Sequence, residues 1–398
     1  MLTCPKCNKK TKKNLNDTGE IVCQKCGYAF KEEQFKEEKL EKIDSSKQII
    51  ESLIDNEVVV PELGVDFCVS TGSLLLDLAT NGGIRPSVIR LTGQPEGGKT
   101  SCSLQIIKNF LETVPNSKAV VIPSEGKLNE TLQQRSGVKF VEDHNQWEVG
   151  TCLILYTQVF EKAFKVIADL INNNPENHRY AFLIDSLDAL SARADYGATE
   201  ESGQPARKAV LSSKFFSRMA IKISAKRHLV ILISQVRSKL ELNQYARKEY
   251  QMTNASGGNA LLHYSSWIFE FQGRYQGDKI WAGEQGKSEI LGHYCKIIFK
   301  KSVNEKSGVP VDYPIKYGRA EGKSVWVEYE IIDMLAAYGQ TTQKGAWITL
   351  DDGLHKELIA VDDQVPKQFN GMAKFREYLE ENPKITNYLF KKIKERLT

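Results

Sequence analysis

One octapeptide constrains this chain more than any other stretch: Gly93-Gln94-Pro95-Glu96-Gly97-Gly98-Lys99-Thr100, the pattern G-x4-G-K-T. The preceding Val88-Ile89-Arg90-Leu91 reads as a strand, and Ser101 to Leu111 reads as a helix. Strand, glycine-rich turn and helix in that order make a phosphate-binding loop. The glycines let backbone N–H groups turn inward around phosphate oxygens, and the helix N-terminus adds its positive dipole end. Lys99 then reaches the β and γ phosphates and the Thr100 hydroxyl takes Mg2+, so Gly93, Gln94, Pro95, Glu96, Gly97, Gly98, Lys99, Thr100 and Ser101 are expected to hold ATP.

A phosphate loop needs a carboxylate on the metal's other side and a group that positions water. Tyr180-Ala181-Phe182-Leu183-Ile184-Asp185 is a buried-strand run ending in Asp185, placed to hold Mg2+ together with Thr100. Another strand, Ala119-Val120-Val121-Ile122, leads into Pro123-Ser124-Glu125. Ligands collect at the carboxyl edge of such sheets, where Glu125 is expected to orient or deprotonate the attacking water. A fourth strand, His228 to Ile233, ends in Ser234-Gln235, a neutral amide suited to sensing a γ-phosphate without competing for its charge.

At 398 residues, 41% apolar and 26% charged, the chain has material for two or three folding units and is not a disordered tail. No apolar run approaches the roughly 18 residues of a membrane-spanning helix. The first ten residues are polar and carry two cysteines, so a soluble, unexported, cytoplasmic protein is expected, with no membrane partner. The net charge of +4 is too balanced to mark a nucleic-acid binder, so any such claim must rest on local residues.

The eight cysteines divide into two sets. Cys68, Cys102, Cys152 and Cys295 are scattered through apolar stretches and read as core thiols. Cys4, Cys7, Cys23 and Cys26 form two C-x2-C knuckles fifteen residues apart, a spacing that presents four thiolates to one tetrahedral Zn2+. Four protein ligands leave no open position, so the metal is expected to be structural.

Charge marks the boundaries. Residues 1–30 hold six lysines against Asp17 and Glu20, a net +4 before thiolate ionisation, and are expected to form the zinc ribbon. Residues 31–57 hold five lysines against nine acids, and Ile49, Ile50, Leu53 and Ile54 recur at helical spacing, which predicts a solvated helical linker. Val58-Val59-Val60 reads as a strand without an obvious sheet of its own. The expected organisation is a ribbon over 1–30, linker and docking elements over 31–60, an α/β core over 61–330 with a mostly parallel twisted sheet flanked by helices, and a small α+β domain over 331–398.

In this order the parts resemble the RecA family of recombinases, in its bacterial and phage branch. The shared features are the phosphate loop, the acid after the next strand, Asp185-Ser186, and Ser234-Gln235-Val236-Arg237 followed by Ser256-Gly257-Gly258-Asn259-Ala260-Leu261. Ser70 to Asp77, Asp333 to Gly339 and Lys344 to Trp347 are similar to further stretches of that family, and the resemblance covers about residues 46 to 395. It implies a DNA-dependent ATPase that polymerises as a helical filament on single-stranded DNA, with ATP between neighbouring subunits, and exchanges strands with a homologous duplex. It makes Glu125 the catalytic glutamate and Gln235 the reporter of the γ-phosphate to a DNA-binding loop over about Arg237 to Ser256. Arg207, Arg237, Ser256, Gly257 and Gly258 match DNA contacts, Lys300 and Lys301 match lysines that reach a neighbour's ATP, and Asn129 stands at an adenine-contacting position. The docking element over 46–60 matches one that adds to the adjacent protomer.

The same residues support part of the DNA expectation without the resemblance. Arg237, Lys239, Arg247 and Lys248, with Tyr245 and Tyr250 among them, suit a segment that tracks phosphates. Asn129 and Leu132 replace the family's aspartate and tyrosine at the adenine, and Lys391, Lys392, Lys394 and Arg396 replace an acidic tail. The ribbon is expected to touch DNA, recruit a loading or single-strand-binding protein, or stabilise the chain. Two other readings compete. A branch-migration helicase similar to RadA/Sms shares the four cysteines but continues into a protease-like domain too long for the residues after 330. A mediator that binds ATP without exchanging strands is disfavoured by intact Lys99, Glu125 and Gln235.

Overall fold

The computed structural model describes residues 2–31, 67–195, 205–236 and 258–397, with the side chains at 205, 206, 258 and 259 outside the description. Most of the linker and the docking elements over 46–60 lie outside these residues, as do Arg237, Ser256 and Gly257. The chain divides into two units, Met1–Val60 and Pro61–Thr398.

The described residues of the first unit form two small hairpins. β1 (Leu2–Thr3) pairs with β2 (Lys10–Thr11), and β3 (Ile21–Val22) pairs with β4 (Ala29–Phe30), both antiparallel. Each C-x2-C knuckle is the turn of one hairpin. Cys4, Ile21, Cys23 and Phe30 are the buried cluster, which is little apolar surface to hold a fold.

The second unit begins with the short helix α1 (Leu74–Ala79), followed by β5 (Ser87–Gly93) and α2 (Lys99–Thr113). Then come β6 (Ser117–Pro123), α3 (Glu130–Ser136), β7 (Phe140–Val141), β8 (Cys152–Ile154) and α4 (Phe160–Asn172). After these run β9 (Arg179–Asp185), α5 (Pro205–Ala225), β10 (Leu229–Gln235), α6 (Gly258–Tyr264) and β11 (Trp267–Phe271). Strands β5 to β11 lie side by side and parallel in the order β11-β5-β10-β9-β6-β8-β7. An antiparallel extension follows, built from β12 (Lys279–Trp281), β13 (Ile290–Lys301) and β14 (Pro310–Lys316), with β13 pairing β11.

Parallel strands are covered on both faces, so their sequences read as nearly continuous apolar runs, and alternate residues enter different layers. Ile89, Leu91, Val121, Leu183 and Ile231 pack with Leu104, Ile107 and Phe110 of α2 on one side. Val88, Val120, Phe182, Ile184 and Val230 pack with Phe164 and Ile167 of α4 and Phe216 of α5 on the other. In this register Gln235 stands beside Gly93 and Pro123 beside Asp185, which brings four strand ends to one edge.

The C-terminal part comprises α7 (Val327–Ala337), β15 (Thr341–Lys344), β16 (Trp347–Leu350), α8 (Asp352–Val361), β17 (Gln368–Asn370), α9 (Met372–Glu381) and α10 (Pro383–Glu395). Its apolar cluster takes in Leu74 of α1. Buried polar contacts tie the same helix down: Glu330 accepts from the Ser73 hydroxyl and the Leu74 N–H, and Lys394 pairs with Asp77.

Candidate nucleotide and metal sites

The phosphate loop leaves β5 at Gly93, where φ is +139° and a Cβ would come 2.2 Å from the Phe271 carbonyl oxygen of the neighbouring strand, so only glycine fits. Gly98, at φ +96°, caps α2 and turns the chain into the helix. Lys99 is buried and its Nζ donates to the carbonyls of Gly93 (3.0 Å) and Gln94 (2.6 Å). Burial lowers its pKa, opposed by the charges of Asp185, Glu125 and Asp188.

The Thr100 hydroxyl donates to Asp185 Oδ2 at 2.7 Å, joining the first turn of α2 to the end of β9. Burial raises the Asp185 pKa, and the Thr100 hydrogen bond opposes the rise. A hydroxyl and a carboxylate, both oxygen donors, fit a hard cation such as Mg2+ that also touches a triphosphate.

Glu125 lies at the next step along the edge. Its Oε1 accepts from the Ser186 hydroxyl (2.5 Å) and from Gln235 Nε2 (2.9 Å), while the Gln235 N–H donates to Asp188 Oδ2 (2.7 Å). The candidate catalytic glutamate and the candidate amide sensor therefore touch directly. Sequence reasoning missed the supports: Ser186, Asp188, and Arg90, whose Nε donates to Ser234 at 3.1 Å. Burial lowers the Arg90 pKa to about 10, and the Asp188 charge opposes the fall. The spacing of Asp185 and Asp188 was the available signal.

A cavity of about 570 Å³ opens from Gly98, Lys99 and Thr100 towards Leu132 and Arg135 of α3 and towards Tyr317 and Arg319 after β14. Its far wall was not anticipated. Arg135 donates to the Ser101 hydroxyl at 3.2 Å. Lys316 and Arg319, which also line the cavity, both reach Glu380 of α9, at 2.5 and 3.2 Å, and the Trp326 indole donates to the same carboxylate at 2.7 Å. Burial, with the Arg274 charge beside it, pushes the pKa of the lining His293 down to about 4, so its ring is neutral at pH 7.

The remaining candidates lie apart from the loop. Asn129 caps α3 by accepting from the N–H groups of Thr131 and Leu132, and it is Leu132 that faces the cavity. Arg207 on α5 pairs with Asp195. Lys300 pairs with Glu270 at 3.2 Å, and Lys301 donates to the carbonyls of Leu262 and His263. Lys301 sits opposite Ile268 at the start of β11, whereas the phosphate loop meets β11 at its end, Phe271 beside Gly93. One chain therefore does not bring these lysines to its own loop. Gly258 begins α6, directly after the undescribed segment.

In the ribbon, Cys4 and Cys26 have their sulfurs 3.5 Å apart and Cys7 and Cys23 3.7 Å, with all four within 4.8 Å of one another. Tetrahedral zinc with Zn–S bonds near 2.3 Å calls for sulfur separations of about 3.8 Å, so the four thiolates fit the ion. No helix among the described residues is long and apolar enough to cross a membrane.

Phosphate loop, the Thr100–Asp185 pair, edge glutamate and parallel sheet together define an α/β protein of the P-loop class. The RecA N-terminal domain model matches residues 39–313, and the chain belongs to that family. Relatives named Protein RecA include one from Pseudomonas fluorescens, 25% identical over 334 residues (83% of this chain, 82% of the relative). Others come from Agrobacterium fabrum, 26% over 286 residues (71% and 70%), and Rickettsia bellii, 26% over 333 residues (82% and 84%).

Proposed function

We propose that the protein is a DNA-dependent ATPase that assembles on single-stranded DNA and pairs it with a homologous duplex. The observation that carries this reading is the hydrogen bond from Gln235 to Glu125 at the end of β10, because the next residues begin the segment 237–257, which carries Arg237, Lys239, Arg247 and Lys248. A change at the γ-phosphate that moves Glu125 moves Gln235 with it, and the segment behind Gln235 shifts in turn.

In this mechanism the loop N–H groups and Lys99 hold the phosphates, and the charge of Lys99 stabilises the negative charge that develops on the transferring group. Thr100 and Asp185 would hold Mg2+, which when bound would supply positive charge to the phosphates. Glu125 accepts a proton from the water that attacks the γ-phosphorus, and ADP leaves as the bond to its β-phosphate oxygen breaks. Ser186 and Gln235 hold the carboxylate in place. Leu132, Arg135 and Tyr317 line the end of the cavity where the base and ribose lie. The position of Lys300 and Lys301, away from their own loop, agrees with a role at a neighbour's nucleotide, and Arg207, Arg237, Ser256, Gly257 and Gly258 are assigned to DNA.

The test is steady-state ATP hydrolysis by the full chain with and without oligothymidine. Stimulation of about tenfold or more is expected, and a rate indifferent to DNA overturns the reading. Electron microscopy with a non-hydrolysable ATP analogue and single-stranded DNA separates a helical filament from the closed ring that a branch-migration helicase would form.

A further inference from the structure

We infer that the knuckle end of the zinc ribbon is a second nucleic-acid site, one that grips the backbone of single-stranded DNA without any nucleotide bound. The first hairpin turns through Cys4–Cys7 and carries Lys6 and Lys9; the second turns through Cys23–Cys26 and carries Lys25. The sulfur contacts Cys4–Cys26 and Cys7–Cys23 bring these two turns together. The Gln24 N–H donates to the Thr11 hydroxyl at 3.2 Å, which sets the second knuckle against β2 and its exposed Lys10. The ribbon's acids, Asp17 and Glu20, belong to the Asn16–Glu20 turn, which precedes β3 and lies at the opposite end of that strand from the knuckle. Lys6, Lys9, Lys10 and Lys25 are thus set apart from these acids, while Lys12 and Lys13, which follow β2, lie on the stretch that leads to them.

The second observation is aromatic. Tyr28 follows the second knuckle and is 41% exposed, yet its ring stacks on the buried Phe30 at 6.4 Å between centroids, so it is held in place instead of sweeping solvent. Lys6 Nζ lies 5.6 Å from the same ring. An anchored aromatic beside lysines gives a base a stacking surface and gives the adjoining phosphates their counter-charge. Duplex DNA, with its bases already stacked, gains nothing from Tyr28, and this favours the single strand.

Net charge is not the cause. A zinc centre with four thiolates carries −2, and residues 31–57 carry a net −4 against the ribbon's +4. What DNA meets is the local placement of Lys6, Lys9, Lys10 and Lys25. The inference is independent of the recombinase reading, since it needs neither ATP nor a filament.

The experiment measures binding of fluorescent oligothymidine to the zinc-loaded full chain without nucleotide, across a salt series. Replacing Lys6, Lys9 and Lys25 together by glutamine is expected to reduce the slope of log K against log salt by roughly two, at about 0.7 for each phosphate that is no longer neutralised. Tyr28→Ala is expected to weaken binding about tenfold. Zinc content measured with a colorimetric chelator stays at one ion per chain in both variants if their ribbons are folded, and the Lys→Gln changes touch only exposed side chains. An unchanged slope in the triple variant overturns the inference, as does equal loss of affinity for duplex and single strand in Tyr28→Ala. Recombinase failure reads differently: ATP hydrolysis unmoved by DNA while the ribbon-dependent slope persists.

Discussion

The ribbon and the ATPase unit solve the same problem by opposite means. Among its described residues the ribbon buries four apolar side chains, two of them cysteines, and Thr11, so its fold would depend on an ion that its four thiolates are placed to hold. The ATPase unit has apolar layers on both faces of a ten-stranded sheet, and its site is a by-product of where the strands end. A chain can therefore lose its metal and keep its nucleotide chemistry, or lose the chemistry and keep both folds.

Metal removal gives the largest expected effect. A strong chelator, or Cys4→Ser, should unfold the ribbon outright, since structural zinc contributes on the order of 10 kcal/mol to such modules. All five tryptophans lie beyond residue 60, so their fluorescence reports the second unit alone and its melting temperature should not change. A common transition would show that the two regions fold together.

Next come the reciprocal variants. Glu125→Gln should slow ATP turnover by about 10²- to 10⁴-fold while nucleotide still binds, the range expected for losing a general base. Lys99→Ala should abolish turnover and weaken ATP binding. Neither change should alter zinc content.

Acid should sharpen the contrast within the ATPase unit. Burial pushes the His228 imidazole from 6.5 to about 3, with Arg179 and Lys226 adding to the fall, and its Nδ1 accepts from the Tyr180 N–H. The folded state thus excludes a proton that the unfolded chain accepts, so the stabilisation is full above pH 6.5 and declines as pH falls towards 3. The loss is about 1.4 kcal/mol per pH unit, or roughly 2 kcal/mol at pH 5. Denaturant melts at pH 7 and 5, followed by tryptophan fluorescence, should show this drop, and His228→Gln should flatten it.

The smallest effect is expected at the far wall of the cavity. Glu380→Gln removes the charge that Lys316 and Arg319 share, so KM for ATP should rise a few-fold to about tenfold while kcat stays within a factor of two, as for the loss of one charge-assisted hydrogen bond. A fall in kcat instead would place Glu380 in the chemistry.

How much of this was legible in the sequence follows from distance along the chain. The phosphate loop and the four cysteines are contiguous or short-range patterns, and their chemistry follows from spacing alone. Asp185 and Glu125 were readable one step further on, because each follows a strand run and strand ends share an edge. The contact between Glu125 and Gln235 was not readable, since it depends on β9 and β10 lying between β6 and β5, a strand order that no local pattern encodes. Glu380 was hidden for the same reason: it lies more than sixty residues from Lys316 in the chain and meets it only when α9 packs back. Asn129 shows the reverse limit, for a residue matched by its place in a motif spends its side-chain oxygen on capping a helix.

The pairing of Lys394 with Asp77 makes the final helix a stopper and not an appendage. The Asp77 carboxylate is fully enclosed, and Ser70 and Thr71 donate hydrogen bonds to it without supplying charge. Trimming the molecule back past Lys394 would strand a lone anion under the segment that leads into the phosphate loop. A shortened form that failed to turn over ATP would then report a sprung floor beneath the nucleotide, and would say nothing of any duty performed by the tail itself.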